Sequence, residues 1–160
     1  MKISILTVCF NSEKTIADTI NSVNSQTYKN IEHIFVDGGS EDNTLKILKK
    51  NPNKKKKLFI KKETSIYEAM NEGIKRASGI FIMILNSDDI LNSNTIIEET
   101  VKKIKKNPRH DVFLGNVIYF SFNNYNRVNR FYEASNLRVK NLLNGDMPPH
   151  PASFIKKKSI

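Results

Sequence analysis

Residues 3–10 (ISILTVCF) are largely apolar or β-branched, the pattern of a strand buried on both faces of a sheet. Asn11 or Ser12 then caps a helix whose apolar positions Ile16, Ile20 and Val23 stand at i, i+4 and i+7, one stripe ending near Gln26. The alternation repeats. Residues 31–36 (IEHIFV) read as a second strand, DGGSEDNT as a glycine turn, and TLKILKK as a short helix capped by Asp42. Residues 51–57 (NPNKKKK) form a turn and charge run ahead of a third strand at 58–62. A helix from Ile66 to Ala77 follows, with Ile66, Ala69, Met70, Ile74 and Ala77 on one face and Gly79 closing it. A fourth strand opens the stretch 82–91 (IMILNSDDIL). Thr95 and Glu98 have the spacing of a capping box for a helix running to Lys106, stopped by Asn107 and Pro108. Residues 112–120 (VFLGNVIYF) predict a fifth strand, and the polar, aromatic stretch after it a hairpin. Strands alternating with helices predict an α/β fold with a parallel sheet.

The chain has 160 residues, the size of one domain with a real core. Its formal charge of +10 favours an anionic partner: nucleotide phosphates, nucleic acid or an anionic membrane surface. Cys9 is the single cysteine, which excludes an intramolecular disulfide and a cysteine-based zinc site and fits a reducing cytoplasm. The first apolar run is at the lower limit for a signal peptide and lacks a small-residue cleavage site; no stretch approaches the ~20 apolar residues of a membrane span.

In a sheet of right-handed strand–helix–strand units, the strand ends that feed helices share one edge, where ligands bind. Thr7 and Asn11 leave strand one, Asp37, Gly38, Gly39 and Ser40 strand two, Glu63 strand three, and Asn86, Asp88 and Asp89 strand four. The first turn, CFNSEKT, has no glycine with which to cradle a pyrophosphate on bare backbone. A magnesium or manganese ion held by Asp88 or Asp89 would do that work, and would relieve the repulsion between adjacent carboxylates. Asp37 is suited to accept hydrogen bonds from a base or ribose, and its two glycines admit a ligand close to the backbone.

Each residue also has a plainer reading. The acid pair could be a helix cap or solvated turn, Asp37 part of a tight turn, Thr7 an ordinary strand residue and Asn11 only a cap. Cys9 reads as a small core residue and His33 as structural. His150, between prolines, suits either a rigid contact to phosphate or acceptor or a turn without a ligand. Lysines 54–57 suit a solvated loop or, alternatively, anionic lipid.

The stretch from ISILTVCFNS through VDGGSEDNT, then IYEAMNEGIKRASG, then ILNSDD resembles the nucleotide-sugar half of the family 2 glycosyltransferases, which have the GT-A fold. The likeness runs in order over residues 3–91, with an echo at PPHPASFIKKKSI. It implies a Rossmann-like, mostly parallel sheet flanked by helices, C-terminally incomplete. Residues 1–120 would be the nucleotide-sugar-binding core, and 121–160 the start of an acceptor-side region. It further implies inverting transfer from a nucleoside diphosphate sugar, UDP by preference, to a glycan or lipid-linked acceptor in cell-surface polysaccharide or glycoconjugate synthesis. The implied location is cytoplasmic, or peripheral at the inner membrane face in contact with anionic lipid.

Carried over by position, Thr7, Asn11, Asp37, Gly38 and Glu63 would form the nucleotide site. Asp88 would hold the divalent metal, manganese or magnesium, where the family has its DxD motif, and Asp89 would face the donor sugar. Asn86 stands in place of the first DxD acid, and Glu63 and Ser65 where Asp and Gly are expected. The family's catalytic base is expected beyond Ile160, so the resemblance implies a glycosyltransferase whose donor binding is expected of this chain, with transfer weak or absent. Two other classes compete: a non-catalytic nucleotide-sugar-binding module, and a nucleic-acid binder suggested by the basic charge and YNRVNRFY, whose scattered lysines argue against one patch. A phosphoacceptor receiver domain would carry its acid pair after strand one, not strand four.

Overall fold

The computed structural model describes residues 1–121, 124–145 and 147–160. Its centre is β1 (Ile3–Cys9), paired in parallel with β2 (Ile31–Asp37) on one side and β4 (Phe81–Ile84) on the other. β3 (Lys56–Ile60) extends the parallel set beyond β2. The far side is closed by β8 (Ser153–Lys156), antiparallel to both β4 and β5 (Val112–Leu114), which gives the order β3-β2-β1-β4-β8-β5. The sheet is thus mostly parallel and the fold α/β, as the alternation predicts.

Both faces of the sheet are covered, so β1 and β2 are buried at nearly every position, polar residues included. Ile3, Ile5 and Cys9 lie on the side of α1 (Ile16–Asn24), α2 (Thr44–Lys50) and α4 (Ile96–Lys106), packing with Val23, Ile16, Leu48, Ile97 and Val101. Leu6, Ile34, Val36 and Ile82 face the other way, against Ala69 and Ala77 at the ends of α3 (Ile66–Arg76). Gly73 lets that helix approach closely: a Cβ there would stand 2.1 Å from a Leu6 methyl. No described helix is long and apolar enough to cross a membrane.

Several elements differ from the sequence expectation for physical reasons. α1 starts at Ile16, because Ser12 closes a turn with the amides of Thr15 and Ile16 and its own amide is bonded elsewhere. β3 begins two residues early. Lys56 Nζ bonds the Leu48 and Lys49 carbonyls at the end of α2, at 3.0 and 2.8 Å, and Lys57 pairs with Glu32, so these lysines are tied into the structure. Lys55 likewise donates to the Lys29 carbonyl at 2.6 Å, so much of the run 54–57 is occupied internally.

The expected strand 112–120 is two strands. The Gly115 amide donates to the Ala152 carbonyl, and β6 (Val117–Ser121) leaves to form a ribbon with β7 (Asn124–Tyr132), the expected hairpin. The capping box is also elsewhere. Glu98 bonds Thr27 and Lys102 instead of the start of α4, whereas Ser65 and Glu68 form a complete box at α3. A short α5 (Val139–Leu142) precedes the return to β8.

Candidate functional site

The parallel register sets Cys9 opposite Asp37, and both strands end there. Phe10 turns outward and is 61% exposed, while Asn11 takes the left-handed conformation, φ 48°. That strained residue is held from several directions. Its amide N–H donates to Ser40 Oγ at 2.9 Å, and its Oδ1 accepts the Glu41 N–H at 2.9 Å. The next two amides continue the lacing, Ser12 to Thr44 Oγ1 at 2.7 Å and Glu13 to Asp42 Oδ2 at 3.0 Å. Two loops from neighbouring strands therefore form one rigid shelf.

Asp37 is buried beneath it. Oδ1 accepts the amides of Gly39 and Ser40 at 2.9 and 2.8 Å, and Oδ2 accepts the Ser40 hydroxyl at 2.7 Å and the Cys9 thiol at 3.6 Å. The carboxylate is used by its own turn. Gly38 donates its amide to the Cys9 carbonyl at 2.9 Å, and Gly39 needs its φ of +96° with Lys62 lying across it. Burial, with the charge of Asp37, pushes the Cys9 thiol well above its ordinary range, so it is an inert packing group.

Thr7 is not part of this edge. It lies two residues inside the sheet, fully buried, with Oγ1 3.0 Å from His33 Nε2, so its hydroxyl is spent internally and the group of β1 that reaches Asp37 is Cys9. His33 is buried as well; desolvation lowers its pKa to about 3, and its Nδ1 has no partner among the described residues.

Beyond β3, Glu63 is exposed and is the second non-glycine residue with positive φ, 52°. Asn11 and Glu63 are the only two among the described residues, and both leave the same sheet edge. Strain of this kind persists where the surroundings enforce it and gathers at sites that bind.

The fourth strand ends at Ile84; the Leu85 amide still donates to the Leu6 carbonyl, and the acid loop follows. Asn86 Nδ2 donates to Asp89 Oδ2 at 2.8 Å, and the Asp89 amide returns to the Asn86 carbonyl. Asp88 points out to solvent. Asp89 is half-buried, and burial followed by the charge of Asp88 raises its pKa, partly offset by Asn86 and His150. None of the described ion pairs involves either acid. The antiparallel return into β8 brings His150 to this loop, its Nε2 3.4 Å from Asn86 Nδ2. Sequence reasoning left His150 without an assignment because nothing local predicts the long-range pairing of β8.

No group of three or more His, Cys, Asp or Glu side chains able to hold a metal is present among the described residues. Two adjacent, unneutralised carboxylates nevertheless suit a hard cation that keeps several waters, as magnesium and manganese do. In chemistry, though not in number, the two acids therefore fit such an ion.

Residues 4–159 match the family model for glycosyl transferase family 2. The chain is 36% identical over 119 residues to the poly-beta-1,6-N-acetyl-D-glucosamine synthase of Staphylococcus epidermidis, a match covering 71% of this chain and 28% of that protein. Among solved structures it is similar to S. aureus TarS 1-349 in complex with UDP-GlcNAc, with a TM-score of 0.67 and 30% identity over 71% of this chain and 34% of that one. It is also similar in fold to the mannosyltransferase PcManGT from Pyrobaculum calidifontis in complex with GDP-Man and Mn2+, with a TM-score of 0.64 and 18% identity over 69% of this chain and 34% of that one. This chain spans about a third or less of the length of each.

Proposed function

Because the chain belongs to glycosyl transferase family 2, we propose that it binds a nucleoside diphosphate sugar, with uridine as the nucleoside, along the edge formed by Asn11, Asp37, Gly38, Glu63 and the acid loop. The observation that carries this reading is the acid couple Asp88–Asp89, in no ion pair among the described residues and set at the same edge as the two loops with positive φ. The TarS complex with UDP-GlcNAc supports the choice of nucleotide, and the PcManGT complex with Mn2+ supports a metal through its shared fold.

The roles follow from position. Phe10, exposed at the end of β1 against Gly38, offers a ring on which a base stacks. Asp37 acts through its turn, fixing the amides around Gly38 and Gly39 so that the ligand meets backbone. Glu63, exposed where the chain leaves β3 at the same edge, is assigned to the nucleotide. Asp88, the exposed acid, holds the metal, and Asp89, set deeper, faces the donor sugar. A bound manganese or magnesium ion offsets the negative charge that grows on the leaving diphosphate. In this reading an acceptor hydroxyl attacks the anomeric carbon from the face opposite the departing diphosphate and gives its proton to a base not assigned among these residues, with inversion on a glycan or lipid-linked acceptor in polysaccharide or glycoconjugate synthesis. Residues 1–120 are assigned to the donor, and 121–160 to the beginning of the acceptor side. A cytoplasmic location, peripheral to the membrane, belongs to the same reading; the unpaired thiol of Cys9 supports a reducing compartment.

Calorimetric titration of UDP, with manganese and then with excess chelator, tests the proposal. Wild type is expected to bind in a metal-dependent way, and Asp88→Ala to lose about a hundredfold in metal-dependent affinity. Equal binding by the two proteins in manganese would remove Asp88 from the site.

A further inference from the structure

Thr19 lies in the second turn of α1 and is fully buried, so its side chain is not open to solvent. Its hydroxyl instead points at the acid loop from beneath. Oγ1 stands 3.0 Å from the Ser87 carbonyl oxygen and 2.8 Å from that of Asp89, the two carbonyls that flank Asp88. A hydroxyl has one proton, so it is shared between these acceptors. Ser12, just ahead of the same helix, also reaches the loop, with its Oγ 2.9 Å from Ser87 Oγ.

We propose that Thr19 is the positioning residue of the acid loop: by drawing the carbonyls of Ser87 and Asp89 inward, it holds the residue between them, Asp88, with its carboxylate turned outward. The inference rests on the donor-site reading for its functional consequence, and on the hydroxyl geometry for its structural one. The physical need is plain. Two adjacent acids repel, and a loop carrying them without a bound cation would relax to separate them. Carbonyls turned inward need a buried donor, and Thr19 supplies it from a helix fixed by Ile16, Ile20 and Val23 in the core. The Asn86–Asp89 bonds close the loop on itself, but they leave these two carbonyls unserved.

The test compares Thr19→Val, which keeps shape and removes the hydroxyl, with Thr19→Ser, which keeps the hydroxyl. Amide hydrogen exchange in the ligand-free protein reads the loop directly. In Thr19→Val, amides 86–89 are expected to exchange about tenfold faster while those of β1 and α1 keep their protection, and Thr19→Ser restores the wild-type pattern. Unchanged loop exchange in Thr19→Val overturns the proposal; so does faster exchange throughout β1 and α1, which would make the role merely structural. UDP titration on the same proteins reads the consequence: about tenfold weaker binding in manganese for Thr19→Val, rescued in Thr19→Ser, with no change in chelator. Wild-type binding indifferent to manganese would count against the donor-site reading itself, and is distinguishable because the exchange result is obtained without ligand.

Discussion

The two edges of the sheet treat negative charge in opposite ways. At the N-terminal edge, Glu32 is almost fully buried and completely served. Lys2 and Lys57 pair with Oε2 at 2.9 and 2.8 Å, while Ser4 and the Ser78 amide donate to Oε1, each at 2.6 Å. Burial alone would raise its pKa; the bonds from Lys57, Ser4, Ser78 and Lys2 outweigh that and hold it well below the carboxylate range. At the C-terminal edge, Asp88 and Asp89 sit side by side with no cation bonded to them among the described residues, and Asp89 is shifted upward. A carboxylate whose partners are all supplied by the chain is a structural part. The acid pair has no such complement from the chain: Asp88 is left to solvent, and Asp89 is served only by Asn86 and the nearby His150.

The largest effect should come from breaking the compensated edge. Glu32→Gln leaves Lys2 and Lys57, both partly exposed, free to turn to water, and unfolding in urea should show a loss of about 3 kcal/mol, from the charge-assisted bonds given up at the buried carboxylate. Its metal-dependent UDP affinity should match wild type. Asp88→Ala should do the reverse, with stability within about 0.5 kcal/mol of wild type and metal-dependent binding about a hundredfold weaker. If the two substitutions had similar effects on stability, the distinction between the edges would fail.

That contrast was only half legible in the sequence. The α/β alternation and the polar break after each apolar strand led correctly to the loops at one edge, because strand, turn and helix signals are local. What lies inside a strand buried on both faces is harder to read. Without apolar–polar alternation, nothing showed that Thr7 belongs to the interior with His33, or that Cys9 is the residue beside Asp37. Ser65-x-x-Glu68 and Thr95-x-x-Glu98 fit the same capping pattern, and only tertiary structure, which brings Thr27 and Lys102 to Glu98, decides between them. β8 is four residues long and pairs across dozens of positions, so the approach of His150 to Asn86 had no local signature.

A buried base sharpens the comparison at intermediate size. His33 has neither the compensation of Glu32 nor the solvent of Asp88, and burial lowers its pKa from 6.5 to about 3. Below pH 6.5 the unfolded chain binds a proton that the folded one refuses, so stability falls with pH across that window. By pH 5 the loss should reach about 2 kcal/mol. Glu32 acts lower: its contribution is present above the ordinary carboxylate pKa and is lost only as pH drops through its depressed folded value. Asp89, raised, works in the opposite sense to both. Urea midpoints at pH 7, 6 and 5 for wild type and His33→Phe separate the terms, since the slope between pH 7 and 5 should flatten in the variant.

The smallest effect concerns a third way of satisfying a carboxylate, at the start of α3. Glu68 reaches back to the Ser65 amide at 2.9 Å, and its pKa is lowered chiefly by that bond. Here the compensation is supplied by amides that a helix start leaves without partners. Ser65→Ala removes the hydroxyl that caps the first turn and should cost about 1 kcal/mol in urea unfolding. Because α3 packs on β1 through Gly73 against Leu6 rather than through its exposed first turn, the loss should stay local. Exchange should quicken at the amides of Tyr67 and Glu68 and stay unchanged at Ala77. Faster exchange along the whole helix would instead mean that the box, like the Glu32 cluster, holds up the fold.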